Sequence, residues 1–589
     1  MALSRELGNY LGMARTLGRV FRPSSPWTMT RLLEERARSG PSDLGVAYLD
    51  RRYGWKEVDE EANRWAHVFF DEGIRPGDVV ALMMDNRPEY LFAVHGLDKI
   101  GASAALINTN LTGQPLVHAV KIGGARKVLT GDEHAATVEA VRGELEGLDA
   151  ERAVLVHVED AANRQPGAGE PVNEAVELAS SQRPDVDFDA SIKDLFCFIY
   201  TSGTTGLPKA AVITHFRAMG AGAMMAHLMM QSRPGDVIYV PLPLYHSSAM
   251  FIGWSSALNT GAGIAVRRKF SVRHFWDDVR KFDASHFVYI GELCRYLLNG
   301  EPSEGDRDHN VQFAIGNGLR PDIWTEFKER FGIPHIREFY GATEGTTALM
   351  NRTGEPGMVG KMQFGQALVR CDQETGEPIR DASGRCTRVE PGEIGLLLGR
   401  ITPLLGFDGY VDKAASKKKV MTDVFKKGDQ YFNTGDLLQL HEDSWLSFAD
   451  RVGDTFRWKG ENVSTNEVAE VCNGAKGILE SNVYGVQVPG TDGRAGMAAI
   501  HVDEGFDLGA FAEHVKQNLP GYQRPRFVRL LSGDMQTTGT FKHQKVRYRN
   551  EGFDPKASSD RIFWFDGDVY QPVDEGVFDA IGRGEIKLG

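Results

Sequence analysis

Apolar runs rich in β-branched residues alternate with longer amphipathic stretches from residue 45 to 270. Runs such as VVALMM (79–84) and KVLTG (127–131) predict buried strands, and EEANRWAHVFFDEG (60–73) predicts a helix. Parallel strands need both faces of their sheet covered, and intervening helices supply that cover. The sequence therefore predicts parallel sheets flanked by helices.

The alternation continues from VIYVPLPLY (237–245) to HIREFYGATEG (335–345). Between residues 365 and 450, short alternating runs separated by Gly, Pro and Asp turns predict a small antiparallel β subdomain. After DRVGD (450–454), a strand–helix–strand–helix pattern predicts a compact α+β module. We expect an α/β protein with two domains, a large N-terminal one over 1–452 and a small, mobile α+β one over 453–589.

The composition excludes several classes of protein. A chain of 589 residues is long enough for two or more hydrophobic cores, and a hydrophobic content of 42% disfavours wholesale disorder. A formal net charge of −13 argues against general nucleic-acid binding, because the phosphate backbone attracts basic surfaces. The five cysteines form no CxxC pair, and their odd number favours a reducing cytoplasm.

The N-terminal 22 residues mix apolar and basic side chains. No uninterrupted apolar run reaches the roughly 18 residues of a membrane span, and no signal peptide is recognisable. The pattern predicts either a basic amphipathic helix on the inner face of a membrane, an extra helix packed on the domain, or a frayed terminus. The residues concerned are Leu3, Leu7, Tyr10, Leu11, Leu17 and Val20, interleaved with Arg5, Arg15, Arg19 and Arg22.

The stretch YTSGTTGLPK (200–209) concentrates hydroxyls and glycines before a lysine, between the predicted strand LFCFIY (195–200) and a helix-like stretch from His215. Such a strand–loop–helix allows backbone N–H groups and hydroxyls to approach phosphate oxygens. The P-loop pattern GxxxxGK[ST] is excluded, because Pro208 precedes the lysine and an alanine follows it. The alternative is a Gly/Thr-rich linker.

This string resembles the signature of the ANL adenylating superfamily, which contains acyl-CoA synthetases, peptide-synthetase adenylation domains and beetle luciferases. GNG (316–318), YGATEG (340–345), NTGD (433–436) and ADRVGD (449–454) resemble its further motifs, in the same order. The resemblance implies ATP and CoA as co-substrates and Mg²⁺ as the metal. The nucleotide and CoA contacts that it implies are Thr201, Ser202, Gly203, Thr204, Thr205, Gly206, Lys209, Gly316, Asn317, Gly318, Tyr340, Gly341, Asp436, Arg451 and Gly460.

The resemblance also implies individual roles. Tyr340 lies near the adenine, Thr343 binds the α-phosphate, and Glu344 holds Mg²⁺ together with Thr204, since a carboxylate is a ligand that this ion prefers. Asp436 accepts hydrogen bonds from the ribose hydroxyls, assisted by the arginine of ADRVGD. Taken alone, Glu344 would be an ordinary surface carboxylate.

PLPLYHSSAM (241–250) resembles the segment that lines the acyl site, where His246 shields the reacting carboxylate. Without that resemblance, this histidine would be a packed loop residue. We expect an apolar acyl pocket lined partly by MFIGWSS (250–256) and AIGNGL (314–319), in which glycines leave room for a chain.

Joining a carboxylate to AMP brings two anions together, so the protein must position them and neutralise charge. In this superfamily a lysine in the tail of the C-terminal domain contributes, and TTGTFKHQKVRYRN (537–550) resembles that tail with two residues inserted after Gly539. We assign Lys542 as the adenylation lysine, with Lys545 as the alternative. A solvated basic strand is what this stretch would indicate by itself.

The same resemblance implies a second arrangement of the C-terminal domain for the thiol step. The hinge is expected at Gly453, where glycine absorbs a large change in backbone angles. The segment WKGENVS (458–464) would then line the CoA tunnel with the backbone of Gly460.

TGTFKHQK (538–545) and the tail from Arg561 to Leu588 resemble the fatty acid transport protein and very-long-chain acyl-CoA synthetase branch. The expected function is ATP-dependent ligation of a long-chain fatty acid to CoA, which can trap imported fatty acid. The alternatives are a bile acid or another bulky carboxylate, transfer to a carrier protein, or a membrane-associated fatty acid transporter with secondary catalysis. The sequence leaves the oligomeric state open, with a homodimer as one option.

Overall fold

A computed structural model of the chain describes residues 2–588 except 21–24, 146–147, 149–152, 160–168, 202–206, 374, 403–405, 453, 459–460, 490, 492, 534 and 536–544. The chain forms two compact units. The first comprises Met1–Pro356 and Thr402–Val420, and the second comprises Gly357–Ile401 and Met421–Gly589.

The first unit contains two sheets built mostly from parallel strands. One has the order β15-β14-β13-β12-β10-β11-β1-β2 and the other β7-β6-β5-β3-β4-β8-β9. The strands are β1 (Leu44–Tyr48), β2 (Arg51–Gly54), β3 (Val79–Met83), β4 (Ser103–Leu106), β5 (Lys127–Gly131), β6 (Val154–His157), β7 (Glu170–Pro171), β8 (Leu195–Thr201), β9 (Lys209–Thr214), β10 (Val237–Val240), β11 (Gly263–Val266), β12 (His286–Ile290), β13 (Phe313–Asn317), β14 (His335–Gly341) and β15 (Ala348–Asn351).

Helices connect these strands, as the alternating pattern predicted. Pro88 starts α4 at a position where no intrahelical N–H bond is lost, and Gly54 precedes α3 with its N–H bonded to the Glu57 carboxylate at 2.7 Å. The helices are α1 (Ala2–Val20), α2 (Met29–Ser39), α3 (Trp55–Asp71), α4 (Pro88–Lys99), α5 (Gly113–Ile122), α6 (Asp132–Glu139), α7 (Asn173–Leu178), α8 (His215–Met224), α9 (Ser256–Thr260), α10 (Val272–Lys281), α11 (Gly291–Leu298), α12 (Pro321–Phe331) and α13 (Lys413–Lys418).

The first unit also contains two π-helical segments, Met225–Met230 and Ser248–Ser255, which the sequence pattern did not predict. The helix-like stretch after His215 is therefore an α-helix that widens into a π-helix at Met225. Residues 160–192, whose Pro, Asp, Ser and Ala content is typical of a surface connection, also contain structure, namely β7 and α7. The prediction of helix-covered parallel sheets is confirmed, and the predicted strands up to residue 345 are present with slightly different ends.

The second unit combines a six-stranded antiparallel sheet, a short hairpin and a five-stranded sheet of order β24-β25-β26-β27-β28. Its strands are β16 (Met358–Lys361), β17 (Gln366–Val369), β18 (Ile394–Arg400), β19 (Val420–Thr422), β20 (Gln430–Leu440), β21 (Trp445–Arg451), β22 (Phe456–Trp458), β23 (Glu461–Val463), β24 (Ile478–Val486), β25 (Ala495–Val502), β26 (Phe527–Leu530), β27 (Arg561–Phe565) and β28 (Tyr570–Pro572). Its helices are α14 (Thr465–Asn473), α15 (Leu508–Asn518), α16 (Lys545–Glu551) and α17 (Glu575–Gly582).

The antiparallel sheet groups with the C-terminal module rather than with the parallel sheets. We predicted that 357–401 belongs to the large N-terminal domain, whereas the compact units place it with Met421–Gly589. The predicted boundary at 452/453 separates the part of the chain expected to stay fixed from the part expected to move during the reaction, and it stays a prediction.

The N-terminal segment forms helix α1, which packs on α8 and on the π-helical segment Met225–Met230. Arg19 donates to Glu35 at 2.8 Å, and Arg352 donates to the Tyr10 hydroxyl at 3.0 Å. Within the described ranges, no helix has the length and apolarity that crossing a bilayer requires. The alternative of an extra helix packed on the domain thus matches the contacts of α1.

Candidate active site

Two antiparallel strands flank the predicted phosphate loop in the sequence. Strand β8 ends at Thr201 and β9 begins at Lys209, and these two residues face each other in the antiparallel register. The expected strand–loop–helix order is wrong, because β9 intervenes before α8. Residues 202–206, and with them the predicted ligands Ser202 to Gly206, lie outside the described residues.

Tyr410 connects three of the predicted site residues. Its hydroxyl donates to Glu344 Oε1 at 2.5 Å, and Lys209 Nζ lies 5.6 Å from the centroid of its ring. Burial, followed by the Glu344 carboxylate, raises the pKa of Tyr410, while a hydrogen bond with the Thr201 side chain opposes that shift. Tyr410 therefore remains a neutral donor that fixes the carboxylate.

Arg217 on α8 is a second residue that sequence reasoning missed. It donates to the backbone oxygen of Gly345 at 2.5 Å and to the Asp408 carboxylate at 3.3 Å. These bonds tie the turn containing Thr343 and Glu344 to the segment before Tyr410. In the sequence, Arg217 is marked only by its place three residues after Thr214, the residue that the structure shows to be the N-cap of α8.

The pairing of strands β13 and β14 positions the predicted adenine segment. Strands β13 and β14 are parallel neighbours with Gly316 opposite Glu338, so the stretches ending in Asn317 and Gly341 emerge at the same sheet edge. Gly318 has a φ of 80°, a conformation that favours glycine. A Cβ at Gly316 would lie 2.2 Å from the Tyr289 carbonyl oxygen, so this glycine permits strand packing.

Glycines were expected to leave room for an acyl chain, but Gly253 and Gly316 instead allow neighbouring groups to pack closely. Gly316 accommodates the neighbouring strand, and a Cβ at Gly253 would lie 2.7 Å from a methyl group of Val240. Trp254 also points into the core, where it donates to His95 Nε2 at 2.8 Å and is fully buried. Its indole is therefore part of the packed core.

Glu338 is a buried carboxyl group beside the predicted adenine segment. Its Oε1 accepts the N–H of Leu319 at 2.6 Å and the Tyr289 hydroxyl at 3.1 Å. Burial raises the pKa of Glu338 to about 8, and these hydrogen bonds oppose the shift. The residue is thus mostly neutral at pH 7 and fixes the turn at Gly318.

The His246 segment is attached to the same region. Asn86 donates to Leu242 O at 2.8 Å and accepts from the Leu244 N–H at 2.7 Å, which fixes the preceding loop. The next residue, Ser247, lies with its hydroxyl 3.3 Å from that of Thr343. The structure thus brings the predicted acyl-site histidine close to the predicted α-phosphate contact.

The second unit contains the predicted ribose pair. Asp436 and Arg451 face each other on antiparallel strands, and Arg451 Nε lies 3.1 Å from Asp436 Oδ1. Gly435, with φ 78°, and the Thr434 hydroxyl, which accepts the Asp436 N–H at 3.0 Å, lie at an irregularity within strand β20. This geometry provides a carboxylate oriented by an arginine.

Lys545, the alternative adenylation lysine, is engaged inside the second unit. Its Nζ donates to the Thr465 hydroxyl at 2.6 Å and lies 3.7 Å from Asp454 Oδ2. Thr465 in turn donates to Asp450, a carboxyl whose pKa is raised by burial, an effect that the Lys545 charge opposes. Lys542, Gly453 and Gly460 lie outside the described residues.

Asp85, Glu133 and His134 form a cluster with the spacing of metal ligands. Cationic side chains already surround it, since Arg268 Nε lies 3.2 Å and Lys269 Nζ 3.3 Å from Asp85 Oδ2. The cluster is therefore an ion-pair network that joins the ends of strands, and it carries no metal assignment.

Comparisons with known proteins identify the class that this fold and site define. The family model described as AMP-binding enzyme matches residues 33–397. Among solved structures, the anthranilate CoA ligase AuaEII in complex with anthranoyl-AMP aligns with a TM-score of 0.76 at 21% identity, covering 89% of this chain and 97% of that one. The fold is that of the AMP-forming adenylating enzymes, which confirms the predicted α/β class.

Curated relatives narrow the class. Long-chain fatty acid transport protein 2 of Rattus norvegicus is 41% identical over 98% of this chain and 94% of its own length. The medium/long-chain-fatty-acid–CoA ligase FadD6 of Mycobacterium tuberculosis is 40% identical over 91% and 88%. The chain belongs to the AMP-binding enzyme family, in the branch of fatty acid transport proteins and fatty acid–CoA ligases, and is an AMP-forming acid–thiol ligase.

Proposed function

We propose that this protein joins long-chain or very-long-chain fatty acids to CoA at the expense of ATP. The observation that carries the proposal is the arrangement around Tyr410, which gathers Thr201, Lys209 and Glu344. These residues come from three distant segments and provide a carboxylate, a hydroxyl and a cation beside a phosphate loop. The names of the relatives support a fatty acid as the acid.

In the first step, a carboxylate oxygen of the fatty acid attacks the α-phosphorus of ATP. The bond between the α-phosphorus and its bridging oxygen breaks, pyrophosphate leaves, and acyl-AMP remains. The proposed roles of Thr343, Lys209 and Lys542 are to bind phosphoryl oxygens and offset their charge, which positioned donors do most effectively away from water. His246 covers the reacting carboxylate.

The donor chemistry at Glu344 fits Mg²⁺, a cation that prefers oxygen ligands. Tyr410 donates to Oε1, and no other described residue donates a hydrogen bond to this carboxylate. Mg²⁺ supplies charge stabilisation to phosphate oxygens when it is bound. Glu344 is proposed as its protein ligand, together with Thr204.

In the second step, the thiol sulfur of CoA attacks the acyl carbonyl carbon, the bond between that carbon and the phosphate oxygen breaks, AMP leaves, and the thiol proton passes to solvent. Lys542 is proposed to serve only the first step, with residues 453–589 changing their arrangement at Gly453 before the second. Gly460 would then line the path of CoA. Separating the steps limits hydrolysis of the reactive anhydride.

Uptake by trapping is a second candidate role, favoured by the names of the relatives. Peripheral association with the inner face of a membrane is proposed for α1, in which Leu11 is 62% exposed and Tyr10 is 44% exposed. Leu11→Asp, at an exposed position that leaves the packing of α1 on α8 and Met225–Met230 in place, should weaken sedimentation with anionic liposomes without loss of ligase activity. Unchanged sedimentation with liposomes would contradict this role. A homodimer is a separate proposal, which measurement of the molecular mass in solution would test.

The test of the main proposal is AMP release from ATP with fatty acids of graded length plus one bile acid, each with and without CoA. Fatty acid should support release that depends on CoA and yields acyl-CoA. Preference for the bile acid, or dependence on a purified carrier protein instead of CoA, would overturn the proposed substrate.

A further inference from the structure

Helix α8 continues beyond Met224 into the π-helical segment Met225–Met230, all of whose residues are buried. This segment ends at Gln231, which has a left-handed φ of 57°. π-helical turns are rare and occur frequently at functional sites, because their wider backbone must be stabilised by its surroundings. Here, two side chains of the neighbouring sheet provide that stabilisation.

Side chains from two strands bind the last carbonyl groups of the segment. Arg337 Nη1 on β14 donates to Leu228 O at 3.2 Å and to Met229 O at 2.7 Å. His286 Nε2 on β12 donates to Met230 O at 3.0 Å. Three consecutive carbonyls that a helix end leaves without intrahelical partners are therefore satisfied inside the core.

The segment contacts both walls that were expected to line the acyl pocket. It packs against β13, which leads into the stretch 314–319, and against the second π-helical segment, Ser248–Ser255. Met225, Met229 and Met230 belong to it, and methionine side chains are unbranched and adapt to irregular apolar shapes. The segment therefore offers an adaptable apolar surface in contact with both stretches.

Strand β14 separates this surface from the nucleotide segment. Successive strand residues point to opposite faces, so Arg337 reaches the π-helical segment while Glu338 reaches the turn at Gly318 and Leu319. Arg337 also lies with its guanidinium carbon 4.7 Å from the Phe313 ring centroid, which limits its freedom. Arg337 thus supports the π-helical segment, and the adjacent Glu338 supports the turn of the predicted adenine segment.

We propose that Met225–Met230 forms a wall of the acyl pocket and that Arg337 is a positioning residue whose bonds to this wall set the preference for acyl-chain length. This inference rests on the proposed ligation of fatty acids. Arg337→Lys would keep the charge but not the planar fork that bonds adjacent carbonyls. Without Arg337, the unbonded carbonyls would force the segment to change its winding.

The test compares the full-length wild-type chain with Arg337→Met and Arg337→Lys. For Arg337→Met, kcat/KM for palmitate should fall about tenfold relative to that for octanoate, while the KM for ATP changes less than about twofold. Arg337→Lys covers the case in which the methionine variant does not fold, and it should show the same change at a smaller size. Displacement of fluorescent cis-parinaric acid by the two acids should shift in the same direction.

Two matched variants separate this role from general destabilisation. Arg330 also bonds two carbonyls, that of Leu298 at the end of α11 and that of Glu301 beyond it, so Arg330→Met should lower the melting temperature and leave the palmitate-to-octanoate ratio unchanged. Glu338→Gln should change the KM for ATP and spare that ratio. An unchanged ratio in folded Arg337 variants, or an equal change in Arg330→Met, would overturn the inference. The displacement measurement needs no CoA, so absence of turnover would overturn only the proposed ligation.

Discussion

Glu344 in the first unit and Lys545 in the second are both charged groups within motifs of the predicted chemistry, yet their surroundings differ. Glu344 is oriented by a neutral donor, Tyr410, which leaves the negative charge without a cationic partner among the described residues. Lys545 is bound by Thr465 and lies near Asp454, so its charge serves the second unit itself. A charged group is available for a substrate only where its neighbours orient it without neutralising it.

The largest effect is expected at the tail. Lys545 is engaged by Thr465 and Asp454, so we assign charge neutralisation in the first step to Lys542. Lys542→Ala should therefore slow acyl-AMP formation by ~10³-fold. Thioester formation from supplied acyl-AMP and CoA should stay within about twofold of wild type, because that step does not need the lysine. The matched control, Lys545→Ala, should lower the melting temperature and reduce adenylation far less. A reversed ranking of the two variants would assign the role to Lys545.

Glu344→Gln comes next, because it removes the charge and preserves the shape. Adenylation should fall by ~10²-fold and the apparent Mg²⁺ requirement should rise, as measured by pyrophosphate release over a Mg²⁺ titration. Glu355→Gln, a change of another carboxylate in the first unit, is the control. A Mg²⁺ dependence identical to that of wild type would contradict the proposed metal role.

Tyr410→Phe should have a smaller effect, about tenfold on kcat/KM for ATP, because the carboxylate loses its orienting donor and keeps its charge. Tyr431→Phe provides a control in the antiparallel sheet, where the tyrosine packs on Phe425. Equal kinetics for the two variants would mean that Tyr410 only fills space.

The smallest effect is expected at Glu338, whose charge is removed by burial instead of by a partner. The pKa of this carboxyl is raised to about 8, so the folded state binds more protons than the unfolded state between pH ~4.5 and ~8, and stability falls as the pH rises through that range. Glu338→Gln should abolish this dependence, so its melting temperature relative to wild type should increase by ~2 °C from pH ~5 to ~8. A constant difference across that range would show that the carboxyl is already ionised at neutral pH.

Much of the fold could be read from local patterns. The alternation around 79–131 predicted buried parallel strands because their apolar runs must be covered on both faces. The motif residues Thr343 and Glu344 were chosen from a string of six residues. The structure places Glu344 with Lys209 and Thr201 around Tyr410, and it places the Thr343 hydroxyl beside that of Ser247. The domain boundary and the roles of Lys542, Gly453 and Gly460 stay predictions.

Other features had no local signal. Tyr410 stands in the unremarkable string GFDGYVD, and its role depends on a hydrogen bond to a residue 66 positions away. The π-helical turns at Met225–Met230 and Ser248–Ser255 require partners on β12, β14 and neighbouring helices, which no periodicity encodes. Gly253 and Gly316 were misjudged because only the packed structure shows what a Cβ would meet.

The sequence by itself determined the layered α/β architecture and the class of chemistry, because strand and helix periodicities and the phosphate-loop motif are local properties of the chain. The tertiary structure decided which charges are available and which are neutralised. Tyr410 orients Glu344, which has no cationic partner among the described residues, Thr465 and Asp454 engage Lys545 within its own unit, and burial raises the pKa of Glu338. Those outcomes depend on desolvation and on hydrogen bonds between segments that are far apart in the chain.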